Sequence, residues 1–318
     1  MSTGENKHSS LPLGSIESGK SGLTSEGPPK LAVGEEESNM YPMPTNIFKR
    51  FLYVFNAEVA EFFALAIFIF LGLAIDTQII LRQPDSTSTH DLSMGLGWGC
   101  AVIGAVVMSC ASSGSHINPA MTVSLAVFGH FPWKRVPTMI VAQFLGCFFG
   151  AFLNWLYYFP AWDLFDGGHR RSLGPQGTAL AFIVQPSVEG VYTNANLFFN
   201  EALMTFILLF FIYFVIDKRM TLSATTAALL IGLFVTAIVM AGDQYVADTA
   251  LNPARDFGPR LFIFIVGYRD IFKVHNHFFF VPLIAPFVGG IAARGVYDYL
   301  IVSEEDKPKS IRKVYWNK

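Results

Sequence analysis

Hydrophobic residues run in stretches about as long as a membrane-crossing helix, with short polar connections between them. An α-helix needs about 20 predominantly apolar residues to cross the hydrocarbon layer of a bilayer. Six segments meet this requirement, at residues 55–81, 94–113, 136–158, 198–216, 223–242 and 278–301. Two apolar pieces, residues 119–128 and 253–266, are too short to span, and both begin with proline, which suits the first turn of a helix. The pattern predicts an all-α membrane protein with six transmembrane helices and two re-entrant half-helices.

The charged residues set the boundaries of this membrane domain. Of the residues, 52% are hydrophobic and 14% are charged, whereas about 25% are charged in an ordinary soluble domain. Residues 1–50 and 303–318 hold 11 and 8 of the 46 charged residues. We therefore predict a disordered N-terminal tail at 1–50, a membrane domain at 51–302 and a solvated tail at 303–318. A net charge of −2 without a basic patch excludes a typical nucleic-acid-binding protein.

Lysine and arginine predict the orientation, because they concentrate on the cytoplasmic side of membrane proteins. Basic pairs precede the first and third spans and join the fourth to the fifth, at residues 49–50, 134–135 and 218–219. Both tails are predicted to be cytoplasmic, the 159–197 connection extracellular, and the protein multi-pass, with the plasma membrane as the expected location. Serines in the N-terminal tail leave two alternatives open: a phosphorylation-dependent gate, or a solvated tail without effect on transport.

The two halves of the membrane domain, about 51–160 and 195–302, form an internal repeat. Glu61 and Glu201 each lie in an early turn of an apolar helix, and the same tripeptide follows 57 and 51 residues later. These tripeptides are Asn118-Pro119-Ala120 and Asn252-Pro253-Ala254, each directly at a half-helix. Because each half holds three spans, the second begins on the opposite face of the membrane, and the repeats are inverted.

The half-helices have a physical consequence at the membrane centre. Each points its N-terminus, which carries a partial positive charge, toward the midplane. Asn118 and Asn252 are good N-caps. The amide group of each could also donate a hydrogen bond to a passing water. Converging positive ends raise the energy of cations and of a protonated water chain. Arg255 lies on the second half-helix, where a charge is costly unless it faces a wet cavity.

Ser115-His116-Ile117 before the first tripeptide and Arg255-Asp256-Phe257-Gly258-Pro259-Arg260 after the second resemble the signature motifs of the major intrinsic proteins, the aquaporins and aquaglyceroporins. The resemblance covers about residues 50–302. It implies an aquaporin-like fold, half-helices that meet at the bilayer midplane, one pore per subunit and a homotetramer.

The resemblance also implies a selectivity filter. In the family an arginine matching Arg255 forms a constriction with residues of the second and fifth spans and the second loop. Trp98 matches the aromatic wall of glycerol facilitators. Met240, or Val239 by a different count, and Thr249 match the other two positions, where bacterial glycerol facilitators carry glycine and phenylalanine. Methionine or valine would narrow the pore and threonine would widen it.

Five further residues resemble the glycerol-conducting branch. Asp256 and Arg260 follow the filter arginine, Tyr158 ends the third span, and Pro282-Leu283 lie in the sixth. Asp256 requires a cation beside it, because an unpaired carboxylate at membrane depth is expensive. Pro282 and Leu283 have packing as an equal alternative to a role in selectivity.

Three polar residues are expected to support the structure. Glu61 and Glu201 are predicted to hold backbone N–H groups of the loops, with a proton relay as the alternative. His116 is predicted to brace its loop by a hydrogen bond, with pH sensing as the alternative.

The functional expectation is a passive channel for glycerol, other small neutral solutes and water that excludes protons and ions. A water-selective channel is the first alternative. A coupled secondary transporter, which also uses inverted repeats and broken helices, is the second. We expect no enzymatic activity, no cofactor, no metal and no nucleic-acid partner; the expected surroundings are the lipid bilayer and further copies of the chain.

Overall fold

The computed structural model describes residues 44–82, 87–186, 190–242 and 248–303, with residues 87–91 described by their backbone alone. Within these ranges the chain is helical and contains no strand beyond an isolated bridge between Arg171 and Gly177. The helices are α1 (Ile47–Val54), α2 (Asn56–Arg82), α3 (Thr87–Ser113), α4 (Pro119–Val127), α5 (Val136–Asp166), α6 (Asn194–Val215), α7 (Ala224–Gly242), α8 (Pro253–Val266), α9 (Val274–His277) and α10 (Phe280–Val296). Short 3₁₀ turns lie at Trp133–Arg135, Ala179–Ala181 and Lys218–Met220, and a π-helical turn, Tyr297–Ile301, extends α10.

The six predicted spans and two half-helices are confirmed. Six helical segments of the described chain, centred on α2, α3, α5, α6, α7 and α10, are long and apolar enough to cross a membrane. The half-helices α4 and α8 begin at the two prolines that the sequence singled out. The third span is longer than expected, because α5 continues past Tyr158 and through Pro160 to Asp166. The connection to α6 is correspondingly shorter than the predicted 159–197.

A short helix begins inside the segment that was predicted to be a tail. Asn46 caps α1, since its side-chain oxygen accepts hydrogen bonds from the N–H groups of Phe48 and Lys49 at 2.9 and 3.2 Å. The apolar side chains of α1 are exposed at the surface, Ile47 and Phe48 among them. The predicted tail therefore ends at about residue 45; the remainder of both predicted tails lies outside the described residues, apart from 44–45 and Ser303.

The packing of the helices repeats between the two halves. In the first half α2 packs against α5, and in the second α6 packs against α10; α5 also contacts α8, as α10 contacts α4. Glycines allow these close approaches: a Cβ on Gly146 of α5 would lie 2.5 Å from the carbonyl oxygen of Phe62. A Cβ on Gly289 of α10 would lie 2.1 Å from the carbonyl oxygen of Ala202. The inverted repeat of the sequence is thus present in the helix packing, and it places α4 and α8 at the centre of the bundle.

Candidate functional site

A cavity of about 1260 Å³ runs along the bundle between the half-helices and the spans. One wall is apolar and consists of side chains from α2, α3, α6 and α7, among them Phe68, Val102, Val106, Leu208, Ile231, Val235 and Val239. The loops that precede the half-helices, residues 114–118 and 248–252, form another part of the lining. At one end, which we call the basic end, the cavity is lined by Asp217, Lys218 and Thr221. At the other, the loop end, it reaches Leu180 and Gln185.

The two asparagines lie side by side at the centre of this cavity wall. Asn118 caps α4 by accepting a hydrogen bond from the Ala120 N–H at 2.8 Å, and Asn252 caps α8 in the same way through Ala254 at 3.0 Å. Each amide group then donates to the other loop: Asn118 Nδ2 lies 2.8 Å from the carbonyl oxygen of Leu251. Asn252 Nδ2 lies 2.7 Å from that of residue 117. Since an amide nitrogen carries two hydrogens, each asparagine keeps one donor beyond this cross-link.

Buried glutamates bind the backbone of both loops. Glu61 accepts hydrogen bonds from the N–H groups of His116 at 2.8 Å and Ile117 at 2.6 Å. Glu201 accepts from that of Leu251 at 2.6 Å and from that of the preceding residue at 3.0 Å. Ile117 and Leu251 have φ values of 40° and 58°, a left-handed conformation that costs about 1–2 kcal/mol per L-residue. The carboxylates offset this strain, and the geometry matches the supporting role expected of them.

His116 is buried on the cavity wall and has a partner. Its Nδ1 lies 3.0 Å from the Thr122 hydroxyl, which also accepts from the Gln143 amide at 3.1 Å. The imidazole packs edge-on against the Phe131 ring at 4.7 Å. These contacts match the predicted bracing of the loop.

At the loop end of the cavity, Arg255 and Trp98 contact each other and a residue that the sequence analysis missed, Asp76. The Arg255 guanidinium lies over the indole of Trp98, with 4.3 Å between Cζ and the ring centroid. Trp98 Nε1 donates to Asp76 Oδ1 at 3.0 Å, and Arg255 Nη2 lies 3.7 Å from Asp76 Oδ2. Thr249 also lines the cavity. An ionisable residue inside a predicted span is the signal that could have identified Asp76.

The structure corrects one predicted filter residue. Val239 lines the cavity, whereas Met240 does not; its side chain is 47% exposed at the surface of the bundle. Met240 packs beside Gly95 of α3. A Cβ added to Gly95 would lie 2.7 Å from the Cγ of Met240. Neighbouring residues on an α-helix are turned by about 100° from each other, and on α7 this turn places Val239 on the cavity wall and Met240 at the surface.

Asp256 and Arg260 form a buried ion pair behind the constriction. Arg260 Nε lies 2.7 Å from Asp256 Oδ2 and its Nη2 lies 2.9 Å from Oδ1. Two further guanidinium hydrogens reach the carbonyl oxygens of Ile271 and Val184, at 3.1 and 3.2 Å. The Val184 N–H donates to Asp256 at 3.0 Å. The pair therefore fastens the connection before α6 to α8, and it gives Asp256 the cation that the sequence required.

The other residues of the predicted glycerol signature do not line the cavity. Tyr158 accepts a hydrogen bond from the Gln78 amide at 3.1 Å, between α5 and α2. Pro282 is buried and Leu283 is half-buried in α10. The packing alternative is the one that their positions favour.

At the basic end of the cavity Asp217 forms an ion pair with Arg219. Arg219 donates to both carboxylate oxygens of Asp217, with the closest contact at 2.6 Å. These hydrogen bonds hold the pKa of Asp217 below its usual range. The carboxylate therefore stays ionised through the physiological pH range. Across the described ranges of the chain, histidine, cysteine and carboxylate side chains do not gather into a group that could hold a metal ion.

The protein has six spans and two half-helices, and the half-helices meet at asparagines on the wall of a cavity. This arrangement defines the class of protein as a membrane channel. The chain belongs to the major intrinsic protein family, whose model matches residues 50–297. Members of this family are channels rather than enzymes, and this chain is accordingly an integral multi-pass membrane protein.

Similar proteins agree with this assignment. Aquaglyceroporin-2 of Rhizophagus irregularis is 38% identical over 249 residues, which cover 78% of this chain and 77% of that protein. Aquaporin-7-2 of Laccaria bicolor is 35% identical over 264 residues, covering 80% and 78%. Among solved structures, the aquaglyceroporin from Plasmodium falciparum is 28% identical with a TM-score of 0.68, covering 78% of this chain and 97% of that one.

Proposed function

We propose that the protein is a passive channel for glycerol, other small neutral solutes and water, and that it excludes protons and ions. The observation that carries the proposal is that one cavity is lined both by apolar side chains of the spans and by the polar loops before the half-helices. Glycerol has a carbon edge and a row of hydroxyls, so its path needs both surfaces. Dehydrating hydroxyl groups without replacement costs several kcal/mol, which a purely apolar path would not offset.

The constriction carries the selectivity in this proposal. Trp98 supplies an apolar surface, and Arg255 supplies hydrogen-bond donors. Arg255 Nη1 is buried and has no hydrogen-bond partner within the described part of the chain. An unsatisfied buried donor is costly, and a hydroxyl or water oxygen in the cavity would satisfy it. Val239 and Thr249 also line the cavity.

Exclusion of cations is supported by the half-helices. The N-termini of α4 and α8 meet at Asn118 and Asn252, and their partial positive charges face the same region of the cavity. A coupled carrier would instead need a group at this point that changes protonation, and the asparagines do not titrate. The channel is therefore favoured over the carrier.

We also propose the assembly and location of the channel. The basic residues at 134–135 and 218–219 lie on the side predicted to be cytoplasmic, with both termini. Large apolar side chains cover the outer faces of α5 and α7, among them Val141, Leu145 and Leu233, which are exposed by 56, 54 and 60%. Such surfaces fit lipid and neighbouring copies, as expected for a homotetramer in the plasma membrane.

The test is a stopped-flow comparison of water and glycerol flux in proteoliposomes. We expect both fluxes to exceed those of protein-free liposomes. Val239→Phe should lower glycerol flux because it adds a ring to the cavity wall, and Met240→Phe, one residue away and facing outward, is the matched control. If water flux were rapid but glycerol flux stayed at the level of protein-free liposomes, the water-selective channel would replace the glycerol channel as the proposed function.

One observation favours that alternative. Valine at position 239 is larger than the glycine of bacterial glycerol facilitators, and the guanidinium of Arg255 lies against Trp98. The larger valine leaves less room for a polyol than glycine would, which favours the smaller solute. The same flux comparison decides between the two candidates.

A further inference from the structure

One face of α2 is shaped to receive the indole of Trp98. Phe68, Gly72 and Asp76 follow each other at intervals of four residues, so they lie on the same side of the helix. The Phe68 ring contacts the indole edge-on with 5.2 Å between centroids. At Gly72 the helix has no side chain, and a Cβ there would lie 2.4–2.6 Å from three carbons of the indole. Asp76 then accepts the indole N–H.

The same carboxylate also faces the filter arginine. Its Oδ1 accepts from Trp98 at 3.0 Å, while its Oδ2 lies 3.7 Å from Arg255 Nη2. Asp76 and Arg255 are both almost completely buried, with side chains 6% and 10% exposed. Trp98 lies between α2 and Arg255, since its ring contacts Gly72 and also the guanidinium. Asp76 thus contacts both Trp98, which supplies the apolar surface, and Arg255, which supplies the donors, and it fixes the spacing between them.

We propose that Asp76 is a positioning residue for selectivity: its carboxylate fixes the indole of Trp98 and the guanidinium of Arg255 at the spacing that lets a polyol pass. This inference rests on the proposed function, because it treats the constriction as the site of solute selection. Without the carboxylate, the indole N–H loses its acceptor and the guanidinium loses the charge that draws it toward the wall. Glycerol must contact both walls at once, whereas water needs a single donor, so glycerol flux suffers more.

Two substitutions separate the two contacts. Asp76→Asn keeps an oxygen for the indole N–H but places an NH₂ group near the guanidinium and removes the attraction. Asp76→Leu removes both contacts at similar size. The matched control is Asp163→Asn, a carboxylate that pairs with Arg170 away from the cavity and is 43% exposed.

In proteoliposomes we expect Asp76→Leu to lower the ratio of glycerol to water permeability about fivefold, the factor associated with one net hydrogen bond. Asp76→Asn should fall between wild type and Asp76→Leu, and Asp163→Asn should match the wild type. Trp98→Phe removes the indole donor and keeps a smaller aromatic ring, and adding Asp76→Leu to it should lower the ratio by less than the product of the two single effects. A wild-type ratio in both Asp76 variants would overturn the proposal.

A second measurement keeps the inference separate from the proposed function. If the wild type passed glycerol no faster than protein-free liposomes, the glycerol proposal would fail. The role of Asp76 would then be decided by thermal unfolding of the wild type, Asp76→Leu, Trp98→Phe and the double variant in detergent. Coupled residues give non-additive shifts of the midpoint, which would support the contact network; additive shifts would overturn it.

Discussion

Replacing Arg255 by valine should turn the constriction from a neutral pair into a site with a negative charge. In the structure the guanidinium and the Asp76 carboxylate lie 3.7 Å apart, so their charges largely cancel. Arg255→Val leaves the carboxylate facing the cavity without this cation. We therefore expect weaker exclusion of cations and altered solute selectivity in an otherwise assembled protein.

The size of the effect follows from the distance. Two unit charges about 4 Å apart interact by about 4 kcal/mol at an effective dielectric constant near 20. A monovalent cation that takes the place of the guanidinium would be stabilised by up to that amount, which corresponds to roughly 10³ in occupancy. Loss of the cation's own hydration reduces the gain, so the figure is an upper bound.

The assay is proton and potassium leak into proteoliposomes under an imposed potential, read with entrapped dyes. Arg255→Val should leak faster than wild type, and the double variant Asp76→Asn/Arg255→Val, which lacks both members of this ion pair, should leak less than the single variant. Arg171→Val is the control, because Arg171 is exposed and donates only to Gln176 among the described contacts. Equal leak in wild type and Arg255→Val would refute a guarding role for Arg255. Equal leak in the single and double variants would refute the contribution of Asp76.

Three further substitutions test other parts of the site. Asn118→Asp places a carboxyl group where two positive helix ends converge, and should relax cation exclusion before it abolishes water flux; an unchanged cation leak would contradict the electrostatic account. Gly72→Val should displace the indole of Trp98, because its Cβ has no room, and should reduce glycerol flux while water flux is less affected; unchanged glycerol flux would show that this packing is dispensable. Arg260→Leu strands the buried Asp256 carboxylate and should cost about 3–5 kcal/mol of stability, measured as a lower unfolding midpoint in detergent. Replacing both partners by leucine should recover part of the loss, and equal midpoints in the single and double variants would contradict that reasoning.

The spans were predictable because length and hydropathy alone decide whether a helix can cross a bilayer. The end of the third span was not. The sequence analysis placed that end at Tyr158, two residues before Pro160, but an interior proline can kink a long helix without ending it. The structure continues α5 through Pro160, which is exposed, to Asp166.

The site was predictable where the type of residue alone indicates its role. It was less predictable where the rotation of a helix about its axis decides which residue faces the cavity. The asparagines stand out because each precedes a short apolar helix that it can cap. Arg255 stands out because a charged side chain at membrane depth needs a polar environment. Val239 and Met240 differ by one position along α7, and only the packing of α7 against α3 determines which faces the cavity. Asp76 directly follows an uninterrupted apolar run, residues 62–75, so an average over 20 residues conceals it.

The crossed hydrogen bonds of Asn118 and Asn252 also fix the order in which the centre can form during synthesis. Asn118 donates to a carbonyl 133 residues later in the chain, and Asn252 donates to one 135 residues earlier. A nascent chain that has completed its first three spans holds half of this exchange, with the first asparagine lacking its acceptor. The centre of the molecule is therefore closed only when the second repeat arrives, so each half completes the loop of the other.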